Sequence, residues 1–167
     1  MEFLIKSLER RDWDALKEIY LEGLATGQAT FETSAPTEDE WDRSHLSFGR
    51  IGAYAVPDGR LIGWAAFSGV SKRQAYRGVA EVSVYVAAAA RGKGIGSALL
   101  QELILESERN GIWTLQASVF PENVVSLRLH ERMGFRTVGK RERISTLNGV
   151  WRNTVILERR SKVVGVN

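Results

Sequence analysis

The chain has no cysteine and only two histidines, His45 and His130. The first absence excludes disulfides, thiolate zinc sites and a cysteine nucleophile together. The second leaves no histidine-rich metal centre, so the chain reads as metal-free. Long apolar runs are missing too: nothing approaches the ~20 residues that cross a bilayer. The start, MEFLIKSLERRDWD, lacks the cationic segment and apolar stretch of a secretory signal. A cytoplasmic location without membrane contact is the expectation. Nor is there a concentrated basic stripe. Net charge is +3 over 167 residues, and the densest cluster, Lys140-Arg141-Glu142-Arg143, is interrupted by an acid, so nucleic acid is not an expected partner. A mild positive balance suits an anionic small ligand without identifying one. What is present, 44% hydrophobic and 26% charged residues, is the composition of a folded domain long enough to bury a core.

Punctuation and periodicity divide that domain. FLIKSL predicts a strand. Asp12 is placed to cap a helix with Leu16, Ile19, Tyr20 and Leu24 on one face. Thr37 to Glu40 reads as a capping box opening a second helix towards Phe48. IGAYAV and LIGWAAFSGV predict strands joined by a turn at Pro57-Asp58-Gly59-Arg60. The polar loop SKRQAYRG leads to a strand, AEVSVYVA, then to a glycine run and a helix over Ser97–Glu108. A strand over Leu115–Val119 follows, then a helix from Val124 to Arg132 closed by Gly134. Two strands end the chain, around Phe135–Arg143 and Val150–Glu158, turning at Asn148-Gly149. The tail ERRSKVVGVN predicts a frayed, solvated end. The order is that of one mixed α/β domain.

The glycine run carries the first chemical signal. Gly92, Gly94 and Gly96 stand at the mouth of a strong helix, although each glycine costs about 1 kcal/mol against alanine inside one. A helix N-terminus offers unpaired N–H groups and the positive end of the helix dipole. Glycines let an anion reach that backbone, and Arg91 and Lys93 add charge beside it. A phosphate or pyrophosphate is the expected ligand; the alternative is a mere strand-to-helix turn. Two familiar phosphate loops fit badly. Lys93 is followed by Gly94 rather than Ser or Thr, and the spacing and late position depart from a dinucleotide fingerprint.

Arg91-Gly92-Lys93-Gly94-Ile95-Gly96, continued by Ser97, resembles the R/Q-x-x-G-x-G/A signature of the Gcn5-related N-acetyltransferase (GNAT) superfamily, whose loop binds the pyrophosphate of acetyl-coenzyme A. The order of elements is similar to that fold across nearly the whole chain. More narrowly, TFET (Thr30 to Thr33), AYRGVAEVSVYV (Ala75 to Val86), PEN with Ser126 and His130, and Gly149-Val150-Trp151 resemble the phosphinothricin and methionine sulfoximine acetyltransferase branch. The resemblance implies an α/β acyl-CoA N-acyltransferase fold with a mixed sheet, about seven strands and four helices. Residues 1–160 would form the domain and 161–167 a short tail. It also implies acetyl-CoA as co-substrate, no metal, a small amino-acid-like amine as acceptor, and a homodimer. Another acceptor (a protein N-terminus, a polyamine, an aminoglycoside) and a non-catalytic acyl-CoA sensor remain as alternatives.

Acetyl transfer to an amine needs a base, a donor for the developing oxyanion, and a leaving thiolate. In AEVSVYV, Glu81, Ser83 and Tyr85 share one face and the valines the other. Glu81 is therefore the expected base, directly or through a water, and it falls where the branch places its catalytic carboxylate; an exposed, salt-bridged glutamate is the alternative. Backbone N–H groups of Val84, Tyr85 and Val86 are the expected oxyanion and pantetheine contacts if the strand splays. The resemblance puts Asn123 and Ser126 on the pantetheine arm and His130 where many relatives carry an acidic tyrosine, although a helix histidine is as often a packed side chain. On the acceptor side it points to Phe31, Glu32, Arg73, Gln74, Ala75 and Tyr76, with Arg73 suited to a substrate carboxylate. Trp151 reads as core, with a wall of the acceptor pocket as the alternative.

Overall fold

The computed structural model describes all 167 residues. In chain order it comprises β1 (Phe3–Ser7), α1 (Trp13–Ala25), α2 (Glu38–Ser44), β2 (Ile51–Ala55), β3 (Leu61–Gly69), β4 (Val79–Val86), α3 (Ile95–Arg109), β5 (Thr114–Val119), α4 (Val124–Arg132), β6 (Arg136–Leu147) and β7 (Val150–Arg160). The strands form one mixed sheet in the order β1-β2-β3-β4-β5-β7-β6. Every neighbouring pair is antiparallel except β4 with β5. A parallel pair needs a long crossover, and α3 supplies it.

Strand alternation sends side chains to two separate cores. On one face α3 buries Leu99, Leu100 and Leu103 against Phe67, Leu115 and Leu157. On the other, α1 and α2 bury Leu16, Ile19 and Trp41 against Tyr54 and Trp64. β4 obeys the same rule: Val82 packs in the α3 core with Val84 and Val86 against it, so Glu81, Ser83 and Tyr85 face the α1 side.

The sheet splits in its middle. β3 pairs with β4 along its length to Val86, but β4 pairs with β5 only at Val79–Thr114, Ala80–Leu115 and Glu81–Gln116. Beyond Glu81 a gap opens between the two strands. The Ala87 N–H donates to the Ile62 carbonyl at 2.9 Å, and antiparallel bonding alternates. Tyr85 and Ser83 therefore direct their backbone groups at β3, whereas Val84 and Val86 direct theirs into the gap.

Several local expectations differ from the structure. The Asp12 side chain does not cap α1; its Oδ2 accepts from the Glu9 N–H at 2.7 Å and from the Tyr54 hydroxyl at 2.6 Å. Thr37 does cap α2, accepting from the Glu40 N–H at 3.2 Å, but that helix ends at Ser44 rather than approaching Phe48. On α1 it is Gly23 rather than Leu24 that is buried, because its missing side chain makes room for Tyr85. Trp151 is 61% exposed rather than core. The tail is not frayed at its start: Ser161 is buried, and the Arg160 guanidinium donates to the carbonyls of Ser161, Val164 and Gly165.

Candidate active site

The glycine turn between β4 and α3 has the form of an anion cradle. Gly92 and Gly94 have φ of +74° and +81°, a region that side-chain-bearing residues enter at a cost of about 1–2 kcal/mol. A Cβ on either would meet no atom within 4 Å, so the turn borders open space. Gly94 is the N-cap of α3 and offers no side chain to the first turn. The Ala98 N–H reaches the Gly94 carbonyl at 3.1 Å, leaving the N–H groups of Ile95, Gly96 and Ser97 without a helical acceptor. Arg91 Nε donates to the Val86 carbonyl at 3.2 Å and Lys93 Nζ to the Ala89 carbonyl at 2.9 Å. Both cations are thus held against the backbone at the end of β4 and in the single turn that follows it, just ahead of the uncapped amides in the chain. Uncapped N–H groups, the positive helix end and two cations fit a diphosphate.

Glu81 lies at the last paired position of β4, where the gap begins. Opposite it on β5, Gln116 Nε2 donates to Glu81 Oε2 at 3.3 Å. Burial pushes the Glu81 carboxyl above the usual carboxylate range, and the Gln116 hydrogen bond and the more distant Arg141 guanidinium only partly oppose it. A carboxylate so placed is a better proton acceptor than one in water.

A cavity of about 390 Å³ lies on the same side, between the segment after α1, the helix α2, and strands β3 and β4. Tyr20, Trp41, Trp64 and Tyr85 supply its aromatic lining, with Ser83 and Glu32 among its polar groups. Trp64 and Tyr85 stack with centroids 4.9 Å apart, and Tyr20 meets Tyr85 edge-on at 5.0 Å. Burial raises the Tyr85 hydroxyl's pKa, with neighbouring Tyr20 and Glu32 adding to it; this phenol stays neutral. A larger depression, about 530 Å³, lies between β1 and α3 and includes no residue of β4 or of the glycine turn. The first cavity, which shares the face of β4 that carries Glu81 and is lined by Ser83 and Tyr85 of that strand, is the chemically relevant one.

The remaining expected acceptor residues do not line that cavity. Arg73 begins an exposed single turn holding Gln74, Ala75 and Tyr76, and its guanidinium stands 5.2 Å from the Tyr76 ring centroid. Phe31 meets Phe120 edge-on at 4.9 Å. Over Phe120, at 4.1 Å, lies the guanidinium of Arg152, a β7 residue that sequence reasoning passed over. Arg152 donates to the Gly27 carbonyl at 3.0 Å and to Gln28 Oε1 at 2.8 Å, and pairs with Glu122 at 3.3 Å. Asn123 Nδ2 adds a bond to the Gln28 carbonyl at 3.2 Å. The segment that roofs the cavity is therefore pinned to the far half of the sheet. Arg152→Ala is expected to destabilise the fold by about 1–3 kcal/mol, because several acceptors lose a charged donor. It should also speed amide exchange at Gly27 and Gln28; denaturant titration and hydrogen exchange check both.

On α4, Asn123 is the N-cap, accepting from the Ser126 N–H at 3.2 Å. His130 is buried, with its ring edge-on to Phe135 at 5.1 Å. Its Nδ1 lies 2.7 Å from the Ser126 carbonyl and so carries the proton. Burial holds the imidazole below its ordinary pKa, and the Ser126 bond only partly offsets this. At neutral pH His130 is a fixed, uncharged ring.

Gln116 had a readable signal, since Thr114, Gln116 and Ser118 alternate with apolar residues along β5. Arg141 and Arg152 had none, because both depend on the register of the terminal hairpin.

Known proteins share this arrangement. The model of the acetyltransferase (GNAT) family matches residues 11–135. A phosphinothricin N-acetyltransferase of Alcaligenes faecalis is 36% identical over 153 residues, covering 89% of this chain and 77% of that protein. An L-methionine sulfoximine/L-methionine sulfone acetyltransferase of Salmonella typhimurium is 27% identical over 157 residues, 92% of each chain. The crystal structure of a phosphinothricin acetyltransferase from Sinorhizobium meliloti in complex with acetyl-CoA superposes with a TM-score of 0.90 at 30% identity, covering 100% of this chain and 92% of that one. With a glycine cradle, a split between β4 and β5 and a family match over most of its length, the chain belongs to the GNAT family of acetyltransferases.

Proposed function

We propose that the protein transfers the acetyl group of acetyl-CoA to the amine of a small amino-acid-like acceptor of the phosphinothricin or methionine sulfoximine type, by direct attack in a ternary complex. The observation that carries this reading is the position of Glu81: a half-buried, hydrogen-bonded carboxylate at the point where β4 and β5 part. The names of the relatives supply the acceptor class.

Acetyl-CoA supplies an electrophilic thioester whose thiol, with a pKa of about 8.5, leaves without obligatory protonation. The Ile95, Gly96 and Ser97 N–H groups, with Gly92, Gly94, Arg91 and Lys93 around them, hold the diphosphate. Val84 and Val86 offer N–H groups to the negative charge that develops on the thioester oxygen; the Tyr85 amide is engaged with β3, and Tyr85 contributes its ring. Asn123 and Ser126 stand where the pantetheine arm leaves the gap. Glu81 accepts the ammonium proton, directly or through a water. His130 packs its ring on Phe135 and serves the structure of α4: its Nδ1–H is committed to Ser126 one turn earlier, and a buried neutral ring has no second proton to give. Glu32 and the aromatic cavity receive the acceptor's body, with Phe31, Arg73, Gln74, Ala75 and Tyr76 as the outer lip. The exposed Val125, Val150 and Trp151 support a homodimer, and the setting proposed is the cytoplasm.

The test is release of free CoA thiol from acetyl-CoA with a panel of amines: methionine sulfoximine, methionine sulfone, phosphinothricin, common amino acids, a polyamine, an aminoglycoside and a short peptide. Selective turnover of the first three is expected. Turnover confined to the polyamine, aminoglycoside or peptide would discard the acceptor class, and no turnover despite CoA binding would discard catalysis.

A further inference from the structure

We propose that Gln116 is a positioning residue for the transfer: its side-chain amide holds one oxygen of the Glu81 carboxylate and leaves the other free to take the proton. The proposal rests on the reading of Glu81 as the base and names what aims it. Register supplies the geometry. Glu81 and Gln116 form the last rung of the β4–β5 pairing. Directly paired residues share a face, so both side chains lie on the α1 side, at the apex of the split. An ionised carboxylate only accepts, so the amide presents its NH2 group to it. Gln116 Nε2 donates to Glu81 Oε2 at 3.3 Å, and Glu81 makes no other side-chain hydrogen bond and no ion pair within the chain.

The split makes such a brace necessary. Past Glu81 no residue of β5 pairs with β4, so a glutamate with three rotatable torsions stands beside an opening. Proton transfer needs the reacting atoms held close and aligned, and one cross-strand bond fixes the direction of the carboxyl group. A carboxamide suits this task better than a charged group. A neighbouring cation would lower the carboxyl pKa by about 1–3 units and weaken the base, and a second carboxylate would repel it. The amide carries no charge and does not titrate, so its grip is the same at every working pH.

The charged groups around this pair are remote or otherwise engaged. Burial raises the Glu81 pKa; of the two influences opposing it, the Gln116 bond is the larger and the charge of Arg141 on β6 the smaller. Glu158 of β7, opposite Gln116 on its other side, is paired with Arg136 of β6. Arg73 and Arg77, ahead of β4, stand over the rings of Tyr76 and Trp113. Ser68 of β3, opposite Glu81, is uncharged, and Glu32 borders the cavity from the segment after α1. Gln116 is the one group bonded to the base.

Carbon-13 NMR titration of the Glu81 carboxyl, assigned by the signal missing from Glu81→Gln, reads its protonation without turnover. Loss of a donor to the charged form leaves burial less opposed, so Gln116→Leu should move the Glu81 midpoint upward by about one pH unit. Gln116→Glu keeps the shape but replaces the donor by a like charge, and should move it further. The acid limb of kcat/KM, measured with methionine sulfone and acetyl-CoA, should follow in both variants. In Gln116→Leu, kcat above that limb should fall about 10-fold, the cost of a misdirected base, with CoA affinity unchanged. In the Glu81→Gln background the same substitution should cost less than about twofold, because no base is left to aim. An unmoved Glu81 midpoint in both variants, or an equal loss of kcat with and without the Glu81 carboxylate, would overturn the proposal. A midpoint that moves while the acid limb stays would overturn it through its premise, the role of Glu81, and not through the contact.

Discussion

Glu81→Gln is expected to lower kcat by ~10²–10⁴, the range for loss of a positioned general base, while leaving the affinity for acetyl-CoA intact. The substitution keeps the shape of the side chain and an oxygen for Gln116 to bond, so it removes basicity and little else. It lies on the α1 side of β4, whereas the glycine turn is beyond the strand's far end, which is why donor affinity should not follow. The pH profile gives a second signature. Burial raises the Glu81 pKa above its ordinary 4.5, and a base works only when deprotonated, so kcat/KM should fall as pH drops through a value above 4.5. That acid limb should vanish from the residual activity of the variant. Near-normal turnover, or an unchanged acid limb, would remove Glu81 from the reaction.

Gly94→Val should weaken CoA binding by ~10–100-fold, with kcat at saturating acetyl-CoA within a few-fold of wild type. The cause is conformational. Gly94 sits at φ +81°, where a side chain costs about 1–2 kcal/mol and a β-branched one is a clear outlier. Relaxing that strain turns the first amides of α3 away from their common focus. Nothing lies within 4 Å of the Cβ position, so packing loss cannot imitate the effect, and the backbone strain alone should lower Tm by only about 2–8 °C. Titration with CoA is the check; an affinity within threefold of wild type would mean that the diphosphate is held elsewhere.

Much of this site was legible because its signals are local. Alternation along AEVSVYV put Glu81 on the polar face, three glycines announced the cradle, and Asn123 with Gly134 bounded α4 at Val124 and Arg132, as the helix is found. What escaped depends on residues far apart in the chain. Asp12 is drawn from its capping role by Tyr54, 42 residues away. Arg152 bonds to Gly27 over a separation of 125, and Arg141 comes to act on Glu81 only through the registers of β6, β7 and β5. Trp151 misled through its size: alternation with the half-buried Arg152 turns it outward, but a tryptophan invites a core assignment. Arg73 and Tyr76 are legible as residues and not as geometry, since a polar loop carries no period from which direction can be read.

The split between β4 and β5 bears on how the protein keeps apart from other chains. A sheet ordinarily has two borders, and an open border is a template for aggregation. This one has β1 and β6 outside and, where pairing stops after Glu81, two more borders facing each other within the molecule. A second polypeptide strand, with side chains on both faces, meets helices above and below that slot. A slim, unbranched guest does not. The same narrowness that keeps unfinished backbone away from neighbouring proteins therefore acts as a filter, admitting thread-like molecules and turning away folded ones.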